Sequence, residues 1–275
     1  MRRQFGMMLL VVAMVAGLQV ASPPIVTMAS GAGETTMVRL EGLSDRITVG
    51  DLHTCVILDS GDVSCWGSGG FGRLGYGNSN DIGDDEMAAD NPVNGGILDL
   101  PGDRPAVAIV AGGAHTCALL DDGKVTCWGY NGYGNLGYGN TNEIGDDEMP
   151  AANPVNGGIV ALPGGRPAVA IAAGSTHNCA LLDNGTVTCW GDGGLGKLGY
   201  GNTNNIGDDE TPAANPVNGG LVALPGGRTA EAITAGDSHT CALLDNGTIT
   251  CWGFGVSGRL GYGNIASIGD DETPA

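Results

Sequence analysis

The chain has 275 residues, with 51 glycines, 13 prolines, eight cysteines and a formal charge of −19. This length allows one large domain or two smaller ones. The acidity repels phosphate backbones and anionic lipid, which argues against a nucleic-acid partner and against a membrane partner. Glycine and proline recur at fixed places, which points to turns and not to disorder.

The N-terminus differs from the rest. Arg2 and Arg3 precede an apolar run, Met7–Val20, followed by small residues and Pro23-Pro24. This is the pattern of a secretory signal peptide. Residues 1–30 are read as signal and short linker, with cleavage between Ala21 and Ala32. The competing reading is an uncleaved anchor, for which the run is short against the about 20 apolar residues a span needs. Arg2-Arg3-Gln4-Phe5 also looks like a twin-arginine signal. The general secretory route is preferred, because disulfides form poorly in a reducing cytosol. The expected location is secreted, periplasmic or at the surface of a bacterial cell. No later segment is apolar enough to span a bilayer.

From there the chain repeats. The stretch from His115 to Gly129 recurs around Cys55, Cys179 and Cys241, so the period is 62 residues without insertion or deletion. A fixed period of this size marks a repeat architecture. In the second copy Pro105–Ala111 reads as a strand, Gly112-Gly113 as a turn and His115–Leu120 as the next strand. Asp121-Asp122-Gly123 turns the chain and Lys124–Trp128 returns. Glycine at the third loop position suits a three-residue hairpin, which needs positive φ there. Another apolar segment, Ile97–Leu100 in one copy and Leu221–Leu224 in another, precedes Pro-Gly and reads as a fourth strand. Four short strands are the content of one propeller blade. The repeats are expected at about 34–98, 99–160, 161–222 and 223–275, the last incomplete, within a domain spanning 31–275.

Hairpin register follows by counting. With Leu120 opposite Lys124, Cys117 falls opposite Cys127 on a non-hydrogen-bonded pair, where Cα atoms approach to about 4.5 Å. That is within reach of a disulfide. Four bridges are expected: Cys55–Cys65, Cys117–Cys127, Cys179–Cys189 and Cys241–Cys251. A metal reading competes, since His115, Cys117 and Cys127 share one face, but the spacing fits no zinc-finger pattern. His53, His115, His177 and His239 are expected to fix the blades by hydrogen bonding.

The run Ala-Gly-x-x-His-Thr-Cys-Ala-Leu-Leu-Asp-x-Gly-x-Val-x-Cys-Trp-Gly, followed by Gly-x-Leu-Gly-Tyr-Gly-Asn, resembles the regulator of chromosome condensation repeat. The resemblance covers essentially everything after the signal region. It implies an all-β fold, a β-propeller of four-stranded blades. Full members of the family usually have seven, so four repeats look like part of a seven-bladed propeller. The paired cysteines suit a secreted bacterial branch. The last residues, Asp270–Ala275, stop where the third copy continues beyond Ala213, so the chain is expected to be a fragment or to self-associate. An open arc leaves two blade faces unpaired. The nuclear member of the family exchanges guanine nucleotides on a small GTPase. That activity is not carried over, because a shared fold is poor evidence of shared function.

Function is sought where the repeats differ. After Trp-Gly, the equivalent positions are Ser68, Tyr130, Asp192 and Phe254; then Phe71, Tyr133, Leu195 and Ser257; then Arg73, Asn135, Lys197 and Arg259. Aromatic residues and arginine dominate interface energetics. Phe71, Arg73, Tyr130, Tyr133, Leu195, Lys197, Phe254 and Arg259 are therefore the candidate binding face, for a protein or glycan partner. A second candidate is the acidic triplet at Asp84, Asp85 and Glu86, repeated at Asp146, Asp147 and Glu148 and at Asp208, Asp209 and Glu210. A fourth copy lies at Asp270-Asp271-Glu272. Three carboxylates offer the oxygen ligands that calcium takes, and solvated turn carboxylates are the plainer reading. No nucleophile elbow, phosphate-binding loop or His-Glu-x-x-His motif is present. The expectation is a non-catalytic interaction scaffold without a required cofactor. A calcium-stabilised surface array and a propeller hydrolase or lyase are the alternatives.

Overall fold

The computed structural model describes residues 25–29, 35–39, 46–91 and 93–275. The apolar run Met7–Val20 lies outside the described residues. Strand β1 (Ile25–Ala29) pairs antiparallel with β2 (Thr35–Arg39), Ile25 opposite Arg39, in a unit that ends at Leu43. The second unit runs from Ser44 to Ala275 and holds the repeats.

Four antiparallel sheets follow one another. They are β3 (Ile47–Val49), β4 (His53–Ile57) and β5 (Val63–Gly67); β6 (Ala106–Ala111), β7 (His115–Leu120) and β8 (Val125–Gly129); β9 (Ala168–Ala173), β10 (His177–Leu182) and β11 (Val187–Gly191); β12 (Ala230–Ala235), β13 (His239–Leu244) and β14 (Ile249–Gly253). Each forms one blade, and consecutive blades stack face to face through β3, β6, β9 and β12. The hairpin register is the one counted from the sequence, with Cys117 opposite Cys127 and Leu119 opposite Val125. Gly123 closes the three-residue loop at φ 79°. Its N–H donates to Leu120 O, and Leu120 N–H donates to Lys124 O. All four expected disulfides are present, with Cα atoms 4.0–4.1 Å apart, and no cysteine is free. The sulfurs that a zinc site would need are thus bonded to one another.

The blades are three-stranded where four strands were expected. Ile97–Leu100 lies along the outer edge of β5 but makes one ladder bond there, Leu98 N–H to Val63 O at 2.9 Å. Pro101 follows immediately and turns the chain away before a second bond forms. Val160 and Val222 repeat this single bond on Val125 and Val187. At the other end of β5, Gly67 exchanges two bonds with Ile82, an isolated bridge that recurs in all four blades.

A tyrosine fills the gap between these two contacts. Tyr76 Oη accepts from Cys65 N–H at 3.0 Å and lies 3.1 Å from Cys65 O and 2.9 Å from Gly96 O. Tyr138, Tyr200 and Tyr262 stand against Cys127, Cys189 and Cys251 in the same way. One phenol thus satisfies the backbone groups that a fourth strand would have paired, as buried polar groups require.

Burial shows which face each blade turns to its neighbour. Strands β7 and β10 are buried along their whole length. They therefore read as continuous apolar runs, as strands covered on both faces do. In the end blades alternation reappears. Along β4 it is Thr54 and Val56 that are half-exposed, and along β13 it is His239, Cys241 and Leu243. Each blade thus has an outgoing face carrying histidine, the disulfide and leucine, and an incoming face carrying threonine or asparagine and tryptophan.

Candidate functional site

The junctions between blades use the residues that repeat most faithfully. His115 Nε2 lies 3.0 Å from Asn178 Oδ1 in the next blade. Asn178 donates its own Nδ2 to Asn135 O, so its oxygen is the acceptor and the imidazole donates. His53 and His177 make the same link to Thr116 and Thr240 at 2.8 and 2.9 Å. Trp128 and Trp190 reach back to donate Nε1–H to Arg73 O and Asn135 O, both at 3.0 Å. Each indole lies against a glycine of the preceding blade, Gly75 and Gly137, where a side chain would collide with it. Burial lowers the pKa of His53 and His115 to about 4 and of His177 to about 3. These histidines are neutral, engaged and enclosed, so they tie blades together as expected.

Around the axis Asp51, Gly113, Ser175 and Asp237 occupy one equivalent position. Asp51 N–H donates to Gly113 O, Gly113 N–H to Ser175 O and Ser175 N–H to Asp237 O. They line a shallow concavity of about 290 Å³ together with Gly50, Gly112 and Gly236. This variation lies outside the cysteine and Trp-Gly motifs and carries no motif of its own in the sequence. The histidines lie directly beneath, but none opens onto the concavity to activate Ser175.

The loop after Trp-Gly gathers the aromatic candidates. The Phe71 ring in the first blade meets the Tyr130 ring in the second edge-on at 5.3 Å. Tyr130 meets Tyr133 at 6.0 Å. Phe71 and Tyr133 are exposed and Tyr130 is half-buried, so the three form one row across the junction. Such pairs contribute roughly 0.5–1.5 kcal/mol beyond the area they bury. Phe71 holds φ at 62° and Leu195 at 63°, a backbone region that disfavours large side chains. That strain, about 1–2 kcal/mol per residue, was not legible in the sequence.

The basic candidates divide. Arg259 is exposed and stacks its guanidinium 4.8 Å from the Phe254 ring. Arg73 and Lys197 are buried. Arg73 donates Nε–H to Gly70 O and sits 5.5 Å from the Phe71 ring, beneath the row. Lys197 Nζ pairs with Asp192 at 2.6 Å and donates to Thr176. Arg73 and Lys197 therefore support the loop from within, and only Arg259 of the three offers its charge to solvent. Leu195 is exposed between the two aromatic groups.

Each acidic triplet brings one oxygen per carboxylate within 4.8 Å of the others. Burial, a hydrogen bond to Asp147 and the charges of Asp147 and Asp146 push Glu148 up to about 7; Glu210 is pushed up to about 7 by the same causes from Asp209 and Asp208. The cluster has the oxygen donors that a hard cation takes. It also has a purely structural task. The turn before it packs on the preceding blade, where Gly72 leaves no room for a side chain beside Gly145 and Asp146.

Stacked sheets joined at repeated junctions, with a variable loop edge, define a repeat propeller. Two profiles of the regulator of chromosome condensation (RCC1) repeat match this chain, one at residues 45–73, 106–135, 168–197 and 231–259, the other at 122–181 and 184–243. The chain belongs to the RCC1 repeat family and carries four repeats, each with its own disulfide. It is 33% identical over 220 residues to the ultraviolet-B receptor UVR8 of Arabidopsis thaliana, covering 80% of this chain and 43% of that one. It is 30% identical over 225 residues to the mitochondrial RCC1 domain-containing protein RUG3 of the same plant, covering 80% and 44%. The human E3 ubiquitin-protein ligase HERC2 is 29% identical over 212 residues, covering 77% of this chain and 4% of that one. The chain thus spans less than half the length of these relatives. Among solved structures, Prp20p of Saccharomyces cerevisiae superposes with a TM-score of 0.56 at 21% identity, covering 87% of this chain and 53% of that one. Human WBSCR16 gives 0.61 at 18% identity, covering 82% and 50%. These likenesses establish the propeller fold.

Proposed function

We propose that this chain is a secreted, non-catalytic scaffold of bacterial origin that binds a protein or glycan through the loop edge of its propeller. The row Phe71–Tyr130–Tyr133 carries this reading. Large side chains stand in solvent there, one of them on a strained backbone, in a protein otherwise poor in aromatics. Strain of that kind persists where the surroundings over-determine it, and it clusters at functional sites. Sugar faces and the flat centres of protein interfaces both stack on such rings. Phe254 with Arg259 and the exposed Leu195 extend the edge across later blades. No nucleic-acid and no membrane role is proposed, on the charge argument.

The test is capture from culture medium and on a glycan array, comparing the native protein with a variant carrying Phe71, Tyr130, Tyr133 and Phe254 all as alanine. Loss of captured ligands in the variant supports the edge. Equal recovery by both retires it. A second reading rests on the convergence of the four acidic triplets, which would make the molecule a calcium-stabilised surface array. Its test is a melting curve with and without chelator.

A further inference from the structure

A cavity of about 500 Å³ opens on the flank of the second blade, beside the hairpin loop that precedes β8. The aromatic row begins past Gly129, at the other end of that strand. One wall of the cavity is the loop Asp122–Lys124 and the other is the segment from Ile159 to Leu162. Backbone bonds fix both. Val160 N–H donates to Val125 O at 2.9 Å, and Ala168 N–H to Gly123 O at 2.8 Å. Ala213, from the loop after the third blade, donates its N–H to Ala161 O at 3.0 Å and closes one side. Val160 and Leu162 are buried, and Ile159 and Ala161 are half-buried. A mostly apolar hollow of this size, already formed and bordered by few polar groups, is the form that small-molecule sites take.

The first blade provides a comparison within the same molecule. Its equivalent hollow, between Asp62 and the segment from Ile97 to Arg104, measures about 110 Å³. Where the second blade has Lys124, Ala161 and Gly165, the first has Asp62, Asp99 and Asp103, and the smaller Val160 stands in place of Leu98. Asp99 Oδ1 accepts from Asn94 Nδ2 at 2.9 Å, a bridge that Ala161 cannot make. Asn156, in the same turn, donates instead to Ile159 O at 2.8 Å. Each of these changes removes side-chain volume or a carboxylate.

The charge of the lining inverts with them. Two cations, Lys124 and Arg166, border the larger cavity with one carboxylate, Asp122. Arg104 and three carboxylates border the smaller one. Asp122 is shared, with Oδ2 2.9 Å from Lys124 Nζ and 3.0 Å from Arg104 Nε. Lys124 has three N–H donors, and its side chain is 56% exposed, so it has room for a further oxygen. Arg166 gives Nε–H to Asp183 Oδ1 at 2.7 Å, one of the five donors of its guanidinium.

We propose that this cavity binds a small organic monocarboxylate. The apolar body of the ligand packs on Ile159, Val160, Leu162 and Pro167, and its carboxylate pairs with Lys124, with Arg166 as the second cation. Charge-assisted bonds of this kind are the strong ones, and in a chain of charge −19 a lining with more cations than carboxylates selects an anionic head. The site lies between covered elements and stands independently of the aromatic edge.

The experiment is calorimetric titration of the whole chain with sodium octanoate and with phenylpropanoate, which separate a linear from an aromatic body. Octanol is the uncharged comparator, and amide NMR shifts locate the ligand. The expected result is a Kd below about 1 mM for at least one acid, several-fold weaker binding of octanol, and shifts centred on Gly123–Val125 and Ile159–Pro167. Lys124→Gln keeps the room and removes the charge, so the acid weakens several-fold and octanol is unchanged. Lys124→Asp with Ala161→Asp and Gly165→Asp writes the first blade's lining into the second. The backbone already carries that lining, with Asp103 at φ 51° where Gly165 is at 63°, and circular dichroism checks the fold. This variant loses the acid at least tenfold. No binding by the native chain overturns the proposal. So does equal affinity for octanol, binding that the triple variant leaves intact, or shifts that fall on the aromatic edge instead.

Discussion

Replacing Tyr138 by phenylalanine tests how an outer strand is dispensed with. The hydroxyl accepts from Cys127 N–H at 3.0 Å and lies 3.0 Å from both Cys127 O and Gly158 O. The ring stays in place in the variant, so packing is retained and only the polar bridge is lost. The Cys127 N–H is then a buried donor without a partner, which costs about 1–3 kcal/mol. Two carbonyls lose their shared proton, bringing the total to roughly 2–4 kcal/mol. The fourth blade supplies the control. Tyr262 makes the same contacts to Cys251 N–H and O at 2.9 and 3.1 Å, but stands 45% exposed against 4% for Tyr138. Water replaces its hydroxyl, so Tyr262→Phe costs under about 1 kcal/mol. Urea unfolding followed by tryptophan fluorescence, with the disulfides intact, reads the difference as a shift in midpoint. Amide exchange reads it locally, as protection at Cys127 reduced about tenfold for each 1.4 kcal/mol lost. Equal losses for the two variants, or no change at Tyr138, would mean that the hydroxyl does not stand in for a strand.

Four further outcomes follow from the same geometry. Cys241–Cys251 lies on the uncovered outgoing face, with Cys241 half-exposed where the other bridges are enclosed. Graded reduction with alkylation and mass mapping therefore opens that bridge first, and simultaneous loss of all four would contradict the burial order. The buried histidines make the fold acid-sensitive. Their folded pKa values of about 3 to 4 lie below the ordinary 6.5, so the unfolded chain binds the extra protons. The stability is fully present above about pH 6.5 and is lost as pH falls towards 4, on the order of 2–3 kcal/mol for each of His115 and His177. The raised carboxyls of Glu148 and Glu210 act the other way, weakening the fold as pH rises from 4.5 to about 7. Glu148→Gln with Glu210→Gln should therefore raise the melting temperature at pH 8 and leave it unchanged at pH 4. Phe71→Gly relieves the left-handed backbone strain, so stability stays within about 1 kcal/mol of native although a ring is removed. A loss beyond 3 kcal/mol would show the ring to be structural.

What the sequence determined here is local. A three-residue loop with glycine in its last place admits one hairpin register, and that register puts each cysteine opposite its partner. The repeat did the rest, since a unit copied without gaps folds the same way each time. The outer strand is not legible in the sequence, because a short apolar segment before Pro-Gly looks the same whether it makes four ladder bonds or the single one found here. Only the packing showed Tyr76 and its counterparts filling the space. Arg73 and Lys197 were read as surface charges from their variability. Their carbonyls accept bonds from the next blade, at Thr116 and Trp128 for Arg73 and at Thr240 for Lys197, while their side chains fold back onto Gly70 and onto Asp192 and Thr176 of their own blade. Which face of each blade leads and which follows was likewise decided by tertiary structure. Identical sequences at Val187 and Val125 and a near-identical one at Ile249 differ in exposure only through what is stacked upon them.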